Sequence, residues 1–374
     1  MGTLAGWRDE LSRFCIGNTD LILAVSASLA ACLLRPFHLP GGGLQFYGPS
    51  FSGKTSLLVT ATSVWSAPIT IGTWRTTDSA LEKQAALHND RALFLDEFAQ
   101  IDPLAADRVL YMLGNGRGKN RFAASGLQWS VMTLSTGEIS VPQKLAEAGK
   151  VPMDGQVVRM LDIPVGDQAF GVFGNLHDAP DGRTFSDRLR ANATEHYGTA
   201  GPALLKAFVE DRDMARKQLI RSMEQFHDDA NQQAPEFDEG LHGRARDRFA
   251  VIAAAGEFTS THGITGWPSG TATTAALERF LAWCASIGPG PQARARAAAA
   301  AKEQADQEAA VERLRLLLVS NRNKIIDLDS PSESHPAHPV AWKKRGYFYV
   351  PPALWERIFD DPKHARVLLL RSGF

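Results

Sequence analysis

With 374 residues, 44% of them hydrophobic and 22% charged, the chain has the composition of an ordinary globular protein; this argues against a disordered or fibrous polymer and leaves room for two or three domains. A formal net charge of −1 argues against a globally basic field, so any nucleic-acid surface must be local. The three cysteines, Cys15, Cys32 and Cys284, are far apart, which speaks against a disulfide framework or a zinc site and for a reducing, cytoplasmic setting.

The first predicted elements are a short amphipathic helix over 6–15 and a buried helix over 19–35. The latter holds the apolar run 21–34, which falls short of the roughly 20 residues needed to cross a bilayer and lacks a signal-peptide context, so no membrane partner is expected. Asn18 or Thr19 would cap its start, and Pro36 follows its end. After the loop 39–43, apolar runs at 44–47, 68–74, 92–95, 129–134 and 157–165 alternate with helical segments, the pattern of an α/β sheet ending near residue 178. Helical patterns then occupy 184–197, 202–229, 244–259 and 271–286, with strong loop punctuation at 263–270. Composition shifts at 288–291. An Ala-rich helix or linker over 293–310 follows, then a small unit with a helix at 308–320, a loop at 329–339, a hairpin at 340–350 and a helix from Ala353.

The octet Gly48-Pro49-Ser50-Phe51-Ser52-Gly53-Lys54-Thr55 fits the phosphate-binding pattern G-x-x-x-x-G-K-[ST], set between an apolar strand and a helix that opens with Ser56. Glycines there let backbone N–H groups wrap a phosphate chain, and the helix N-terminus adds its positive end. Lys54 would reach the β- and γ-phosphates, and Thr55 would sit on Mg²⁺. The chemistry implied is binding of a nucleoside triphosphate, ATP with Mg²⁺.

A second motif, Ala92-Leu93-Phe94-Leu95-Asp96-Glu97, lies 42 residues beyond Lys54 and has the form of an apolar strand ending in an acid pair. Asp96 would hold Mg²⁺ through water, and Glu97 would orient and deprotonate an attacking water. Directly after the strand at 129–134, Ser135 or Thr136 could hold the lytic water or the γ-phosphate, and strand register decides which one points inward. Arg159 sits in the apolar run 157–165 and must find a partner: an ion pair with Asp162 or another acid, or the active site of an adjacent subunit as an arginine finger. The segment 115–121 places Arg117, Lys119 and Arg121 among glycines and asparagines, which suits DNA phosphates or an ordinary solvated loop. Arg244, Arg246 and Arg248 precede an apolar helix, with Arg244 and Arg248 on one face. One of them could contact the γ-phosphate; salt bridges to Asp238, Glu239 or Asp247 are the alternative.

With these residues in place, the chain resembles a family of helicase-like ATPases encoded by phages, plasmids and chromosomal islands, often beside primase modules and catalogued mainly as a domain of unknown function. The matching stretches are GPSFSGKTS, SVWSAPITIGTWRTTDSALE, ALFLDEFAQ, YMLGNGRGKNR, LSTGEIS, GQVVRMLDIP and RDRFAVIAAAGEFTSTHGITGW, which span about residues 6–288. Such proteins are similar to the AAA+ ATPases of the minichromosome-maintenance and superfamily III helicase branch. The resemblance implies a P-loop AAA+ core (39–180) bearing N-terminal helices (1–38), an all-helical lid (181–290), a linker (291–307) and a winged-helix-like C-terminal domain (308–374). It implies a homo-oligomeric ring, a hexamer, with single-stranded DNA in its pore, a primase as a partner, and a role in replication of a mobile element. It favours Arg159 as the finger, a presensor hairpin over 115–128 with Lys119 at its tip, and DNA contacts from Lys343, Lys344 and Arg345 on the C-terminal hairpin. A protein-docking role for that last unit stays open, and family members carry a further N-terminal region not found in this sequence.

Three functions compete on these residues: a DNA translocase or helicase, an ATP-dependent initiator or loader switch, and a small-molecule kinase. Glu97 beside Asp96 argues against the kinase, because a water-activating base would waste ATP there.

Overall fold

In the computed structural model, which describes residues 2–119, 126–151, 153–234, 237, 240–288, 291–330 and 335–371, the chain divides into two units, Met1–Gly290 and Pro291–Phe374. The first is built on a five-stranded, all-parallel sheet of β1 (Gly42–Tyr47), β2 (Gly72–Thr73), β3 (Arg91–Asp96), β4 (Val131–Gly137) and β5 (Met160–Pro164), in the order β2-β3-β4-β1-β5. β4 lies between β1 and β3, so the chain segments leaving Tyr47, Asp96 and Gly137 emerge side by side at one edge. A parallel sheet buries both faces, and the strands are accordingly mostly apolar, with Gln45, Thr133, Ser135 and Thr136 as enclosed polar side chains. On β3, Ala92 and Phe94 enter one core while Leu93 and Leu95 enter the other, the period-2 alternation of a strand.

Helices α1 (Leu4–Glu10) and α2 (Thr19–Ala30) precede the sheet. Those interleaved with its strands are α3 (Lys54–Thr62), α4 (Asp78–Leu87), α5 (Pro103–Asn115), α6 (Val141–Ala146) and α7 (Asp154–Val157). A helical layer follows: α8 (Gly182–Glu195), α9 (Ala200–Glu210), α10 (Arg212–Gln233), α11 (Leu241–Thr261) and α12 (Thr271–Ile287). α2 is buried from Asp20 to Ala30, as expected of a helix apolar on all sides. It joins the sheet, α3 and the helical layer in one continuous core. Arg279 of α12 lies 2.7 Å from the buried Asp20 carboxylate of α2 and also pairs with Asp167, just beyond β5. Among the described residues no helix is long and apolar enough to cross a membrane.

Four local expectations are revised. The run 68–74 forms a single 3₁₀ turn at Pro68–Thr70 and a strand of only two residues, because Pro68 starts a turn and Ile69 is left exposed. The segment 202–229 breaks into two helices at Asp211, whose carboxylate caps α10 by accepting from Met214 N. Asn18 stands at the start of α2 but does not cap it; its side chain instead bonds Phe14 O, Gly174 N and the backbone of Asn175. Arg159 lies in the turn before β5 rather than within the strand.

In the second unit, α13 (Pro291–Ser320) runs unbroken through residues 307 and 308. A three-stranded sheet follows, with β6 (Ile325–Asp327) parallel to β7 (Ala341–Lys344) and β7 antiparallel to β8 (Tyr347–Tyr349). Arg345 (φ 49°) and Gly346 (φ 86°) close the hairpin, both left-handed as a two-residue hairpin turn requires. α14 (Pro352–Ile358) and α15 (Pro362–Arg371) complete the unit, whose core is small: Ala310, Phe359, Ala365 and Leu369.

Candidate active site

Residues 48–53 link β1 to α3 as a tight loop. Gly53 (φ 93°) stands at the N-cap of α3, and a Cβ there would come within 2.9 Å of Val172 and 3.0 Å of the Phe173 ring, so only glycine fits. Phe51 is also left-handed (φ 62°) and fully exposed. The first turn of α3 leaves its backbone N–H groups without intrahelical partners, which favours an anion at that point. Lys54 reaches back over the loop: its Nζ donates to Gly48 O at 2.9 Å, Pro49 O at 2.5 Å and Ser52 Oγ at 3.3 Å. Burial pulls its pKa below the usual lysine value, against the pull of Glu138 and Asp96. The ammonium is thus held on neutral oxygens at the loop, where phosphate oxygens would be better partners. Ser50 donates to Glu138 at the loop's outer side.

The acid pair sits directly across. Thr55 Oγ1 donates to Asp96 Oδ2 at 3.3 Å, while Asp96 Oδ1 accepts from Thr136 Oγ1 and, at 2.8 Å, from Glu97 N. Ser135, one residue earlier on β4, points the other way and accepts from Trp74 Nε1 at 2.7 Å. Of the two hydroxyls, Thr136 is the one at the acid pair. Glu97 is exposed, left-handed (φ 63°, ψ 55°), and accepts from Gln100 Nε2. A non-glycine residue held there costs roughly 1–3 kcal/mol, a strain that recurs where a side chain must be aimed.

The loop and the acid pair open on a cavity of about 1070 Å³. Its far wall is α8, which turns Arg183, Ser186, Asp187 and Arg190 toward it, with Phe170 and Phe173 beside them. These four polar residues follow helical spacing on a face beside the buried Phe185, Leu189 and Ala193. Arg190 Nε donates to Ser56 Oγ at 3.3 Å. Arg183 and Arg190 were not among the sequence candidates; the amphipathic spacing of α8 was the available signal, but it does not say what its polar face looks at.

Other predicted residues lie elsewhere. Arg248 is buried at the opposite edge of the sheet, donating to Val158 O at 2.5 Å and Gly41 O at 3.0 Å, and burial with the neighbouring Arg159 brings its pKa down to about 10. Arg244 is exposed one turn earlier on α11. The structure therefore does not bring Arg244 or Arg248 to the phosphate loop, because α11 crosses the sheet where β1 and β5 begin rather than where they end. Arg246 donates to Asn231 and stacks on Phe237, while Asp238 and Glu239 lie outside the described residues.

Arg159 is also remote, since β5 separates it from the loop edge by roughly 16 Å of strand. Its guanidinium donates to Asn115 Oδ1 (2.8 and 3.1 Å) and Gly155 O (2.6 Å) and covers the Tyr111 ring at 4.5 Å. Gly114 permits this approach: a Cβ there would meet the Arg159 side chain at 2.7 Å. Among the described residues no carboxylate pairs with Arg159; Asp162 instead accepts from Val141 N at 3.0 and 3.1 Å.

After α5 the chain turns back on itself, with Arg117 bridged to Gln128, Gly118 N donating to Leu127 O at 2.9 Å and Trp129 N to Gly116 O at 3.0 Å. Lys119 N donates to Glu82 Oε1 at 3.1 Å. Arg121 lies outside the described residues. Lys343, Lys344 and Arg345 belong to the second unit, on β7 and its turn.

Metal chemistry can be judged from the donor set. Among the described residues no group of three or more His, Cys, Asp or Glu side chains is placed to hold an ion. Thr55 and Asp96 offer hard oxygens to one point beside the loop, which suits Mg²⁺ sharing its shell with water and substrate phosphates.

Comparison with known proteins follows this geometry. Residues 1–128 match the family model described as "Domain of unknown function (DUF927)", a stretch that takes in the phosphate loop and the acid pair. No curated protein matches the chain. Among solved structures, SCCmec type IV Cch, an active helicase, aligns over 100% of this chain and 67% of its own, with a TM-score of 0.61 and 17% sequence identity. The chain shares the α/β fold of that helicase.

Proposed function

We propose that this chain is a Mg²⁺-dependent ATPase of the P-loop AAA+ type that works as a ring, a hexamer, moving along or unwinding DNA during replication of a mobile element. The observation that carries the reading is Asp96, hydrogen-bonded at once to Thr55 behind the phosphate loop and to Thr136 on the intervening strand, with Glu97 next to it. That arrangement around one cavity supports reading the loop as a phosphate cradle, Asp96 as a cation ligand and Glu97 as a base, the parts that in-line attack of water on a γ-phosphate needs.

In this reading Lys54 leaves the loop carbonyls for phosphate oxygens. Mg²⁺, held by Thr55 and Asp96, would neutralise charge on those oxygens. Thr136 fixes Asp96 and reaches the γ-phosphate side. Glu97 takes the proton of the attacking water. Arg183 and Arg190 supply positive charge from the same subunit. Arg159 serves the neighbouring subunit's site, because it holds its charge on neutral acceptors far from its own loop. The antiparallel pairing at 116–118 and 127–129 suits a DNA-contacting hairpin, with Lys119 near its tip. The hairpin cations of the second unit provide further DNA contacts in a winged-helix-like domain, and a primase is the partner that the sequence resemblance suggests. The likeness to an active helicase supports the motor over a kinase.

The test is ATP turnover with and without single-stranded DNA, run beside a sizing measurement. Turnover that rises with DNA in an oligomer supports the reading; a monomer whose turnover ignores DNA contradicts it.

A further inference from the structure

The register of the C-terminal hairpin brings three aromatic rings and a cation together on one sheet face. Trp342 on β7 stands opposite Tyr349 on β8, and Lys344 stands opposite Tyr347. Directly opposed residues share a face, as do residues two apart on one strand, so Trp342, Lys344, Tyr347 and Tyr349 lie together. The other face carries Lys343 opposite Phe348, together with Ala341, which is fully buried. Phe348 on that face is still 45% exposed, so the hairpin leaves aromatic surface open on both faces, most of it at Tyr347 and Tyr349. Tyr347 is 71% and Tyr349 55% exposed, and Trp342 is half-buried.

Rings of this size, left in water side by side on a short edge strand, are an aggregation hazard unless something covers them. What surrounds them says what that is. Lys344 lies between Trp342 and the turn, and the exposed Arg345 forms the turn itself, its backbone amide held by Asp329. The nearby Asp327 pairs with Lys343, on the opposite face, so it does not neutralise Lys344. The Trp342–Tyr349 face thus offers flat π surfaces bordered by the cations Lys344 and Arg345. Unstacked bases present π faces and phosphates at short intervals, and this combination of rings and cations matches them.

We infer that the β7–β8 face is a stacking platform for single-stranded DNA, in which Tyr347 and Tyr349 stack on bases and Lys344 and Arg345 contact the intervening phosphates. The inference rests on reading this chain as a DNA-acting protein, and it adds ring stacking to a hairpin on which the sequence had marked only the cations.

The experiment is fluorescence anisotropy of the full chain, without ATP, against a labelled oligothymidylate over a range of salt. Replacing both tyrosines by alanine (Tyr347→Ala with Tyr349→Ala) should weaken binding by roughly 10–100-fold and leave the salt slope unchanged, because stacking releases no counterions. Replacing both by phenylalanine should keep the affinity. Lys344→Ala should lower the salt slope by about one. Oligothymidylate should be preferred to oligouridylate. Cross-links from a halogenated oligothymidylate should map to the peptide holding residues 347–349, which separates this face from DNA contacts on the first unit.

Alanine variants that bind like the wild type, phenylalanine variants as weak as alanine ones, preference for oligouridylate, or cross-links confined to the first unit would each overturn the inference. Its failure is separable from failure of the ATPase reading. Lys54→Ala stops turnover without touching this face, and the tyrosine variants leave DNA-independent turnover intact.

Discussion

Thr136 donates its hydroxyl proton to Asp96, while its neighbour Ser135 faces away and accepts from Trp74. Adjacent residues on one strand thus serve opposite sides of the sheet. Thr136→Ala should lower kcat by about 10–100-fold and leave ATP affinity nearly unchanged, since in the proposed mechanism the hydroxyl serves the reacting end. Ser135→Ala should keep catalytic competence but cost about 1–3 kcal/mol of stability by orphaning the buried Trp74 N–H. Turnover and denaturant melts of the two variants check this; the reverse pattern would move the role to Ser135.

Arg190 and Arg248 make a second contrasting pair. Arg190 faces the cavity beside Ser56, whereas Arg248 is buried on backbone carbonyls at the far edge of the sheet. Arg190→Ala, alone or with Arg183→Ala, should raise the Kd for ATP about 10-fold with the fold intact, from loss of charge-assisted contacts. Arg248→Ala should destabilise by about 3 kcal/mol or more, because carbonyls that it satisfies lose their donors. Nucleotide binding beside thermal melts distinguishes them, and weakened ATP binding in a stably folded Arg248→Ala protein would contradict the assignment.

Arg159 carries its charge on Asn115, Gly155 and the Tyr111 ring. On the proposal that it acts on the next subunit, its replacement by alanine should lower turnover about 10³-fold in an assembled ring without weakening ATP binding. Mixing Arg159→Ala subunits with Glu97→Gln subunits should restore part of the activity, since some junctions then pair a sound acid pair with a sound arginine. Mixtures no more active than the separate variants would place Arg159 in a role within its own subunit.

Much of the site was legible because its chemistry is local in the chain. The octet 48–55 and the acid pair at 96–97 stand out by residue type, order and flanking strands, and the structure brings both to one cavity. Register was not legible: nothing in Ser135-Thr136 says which hydroxyl turns toward Asp96, because one residue of slip exchanges the faces. Arg244 and Arg248 drew attention by their helical spacing, but which edge of the sheet α11 crosses is a tertiary fact. For the same reason the sequence does not single out Arg183 and Arg190, because helical spacing does not say what a polar face looks at. Pro68 explains the near-loss of a predicted strand, since the apolar run around it gave a strand's composition without its backbone freedom.

Asp162 on β5 gives a pH signature. Burial pushes its pKa from 3.8 up to about 7, against the pull of its bond from Val141 N. The folded state then binds more protons than the unfolded one between these values, so this group's contribution to stability is fullest below about pH 4 and is lost as pH rises to about 7. Asp162→Asn should therefore gain Tm relative to the wild type as pH is raised across that window. A Tm difference that stays flat with pH would show that Asp162 ionises as freely in the folded chain as in the unfolded one.

Glu97 acting as the base beside a bound ATP and Mg²⁺ is the centre of the proposed mechanism. Its most direct measurement is steady-state ATP hydrolysis by Glu97→Gln, paired with ATP binding by the same protein. Binding should match the wild type while turnover falls by about 100-fold or more, because the amide keeps the geometry but accepts no proton. Wild-type turnover in Glu97→Gln, or failure of the wild-type chain to bind ATP at all, would contradict the account.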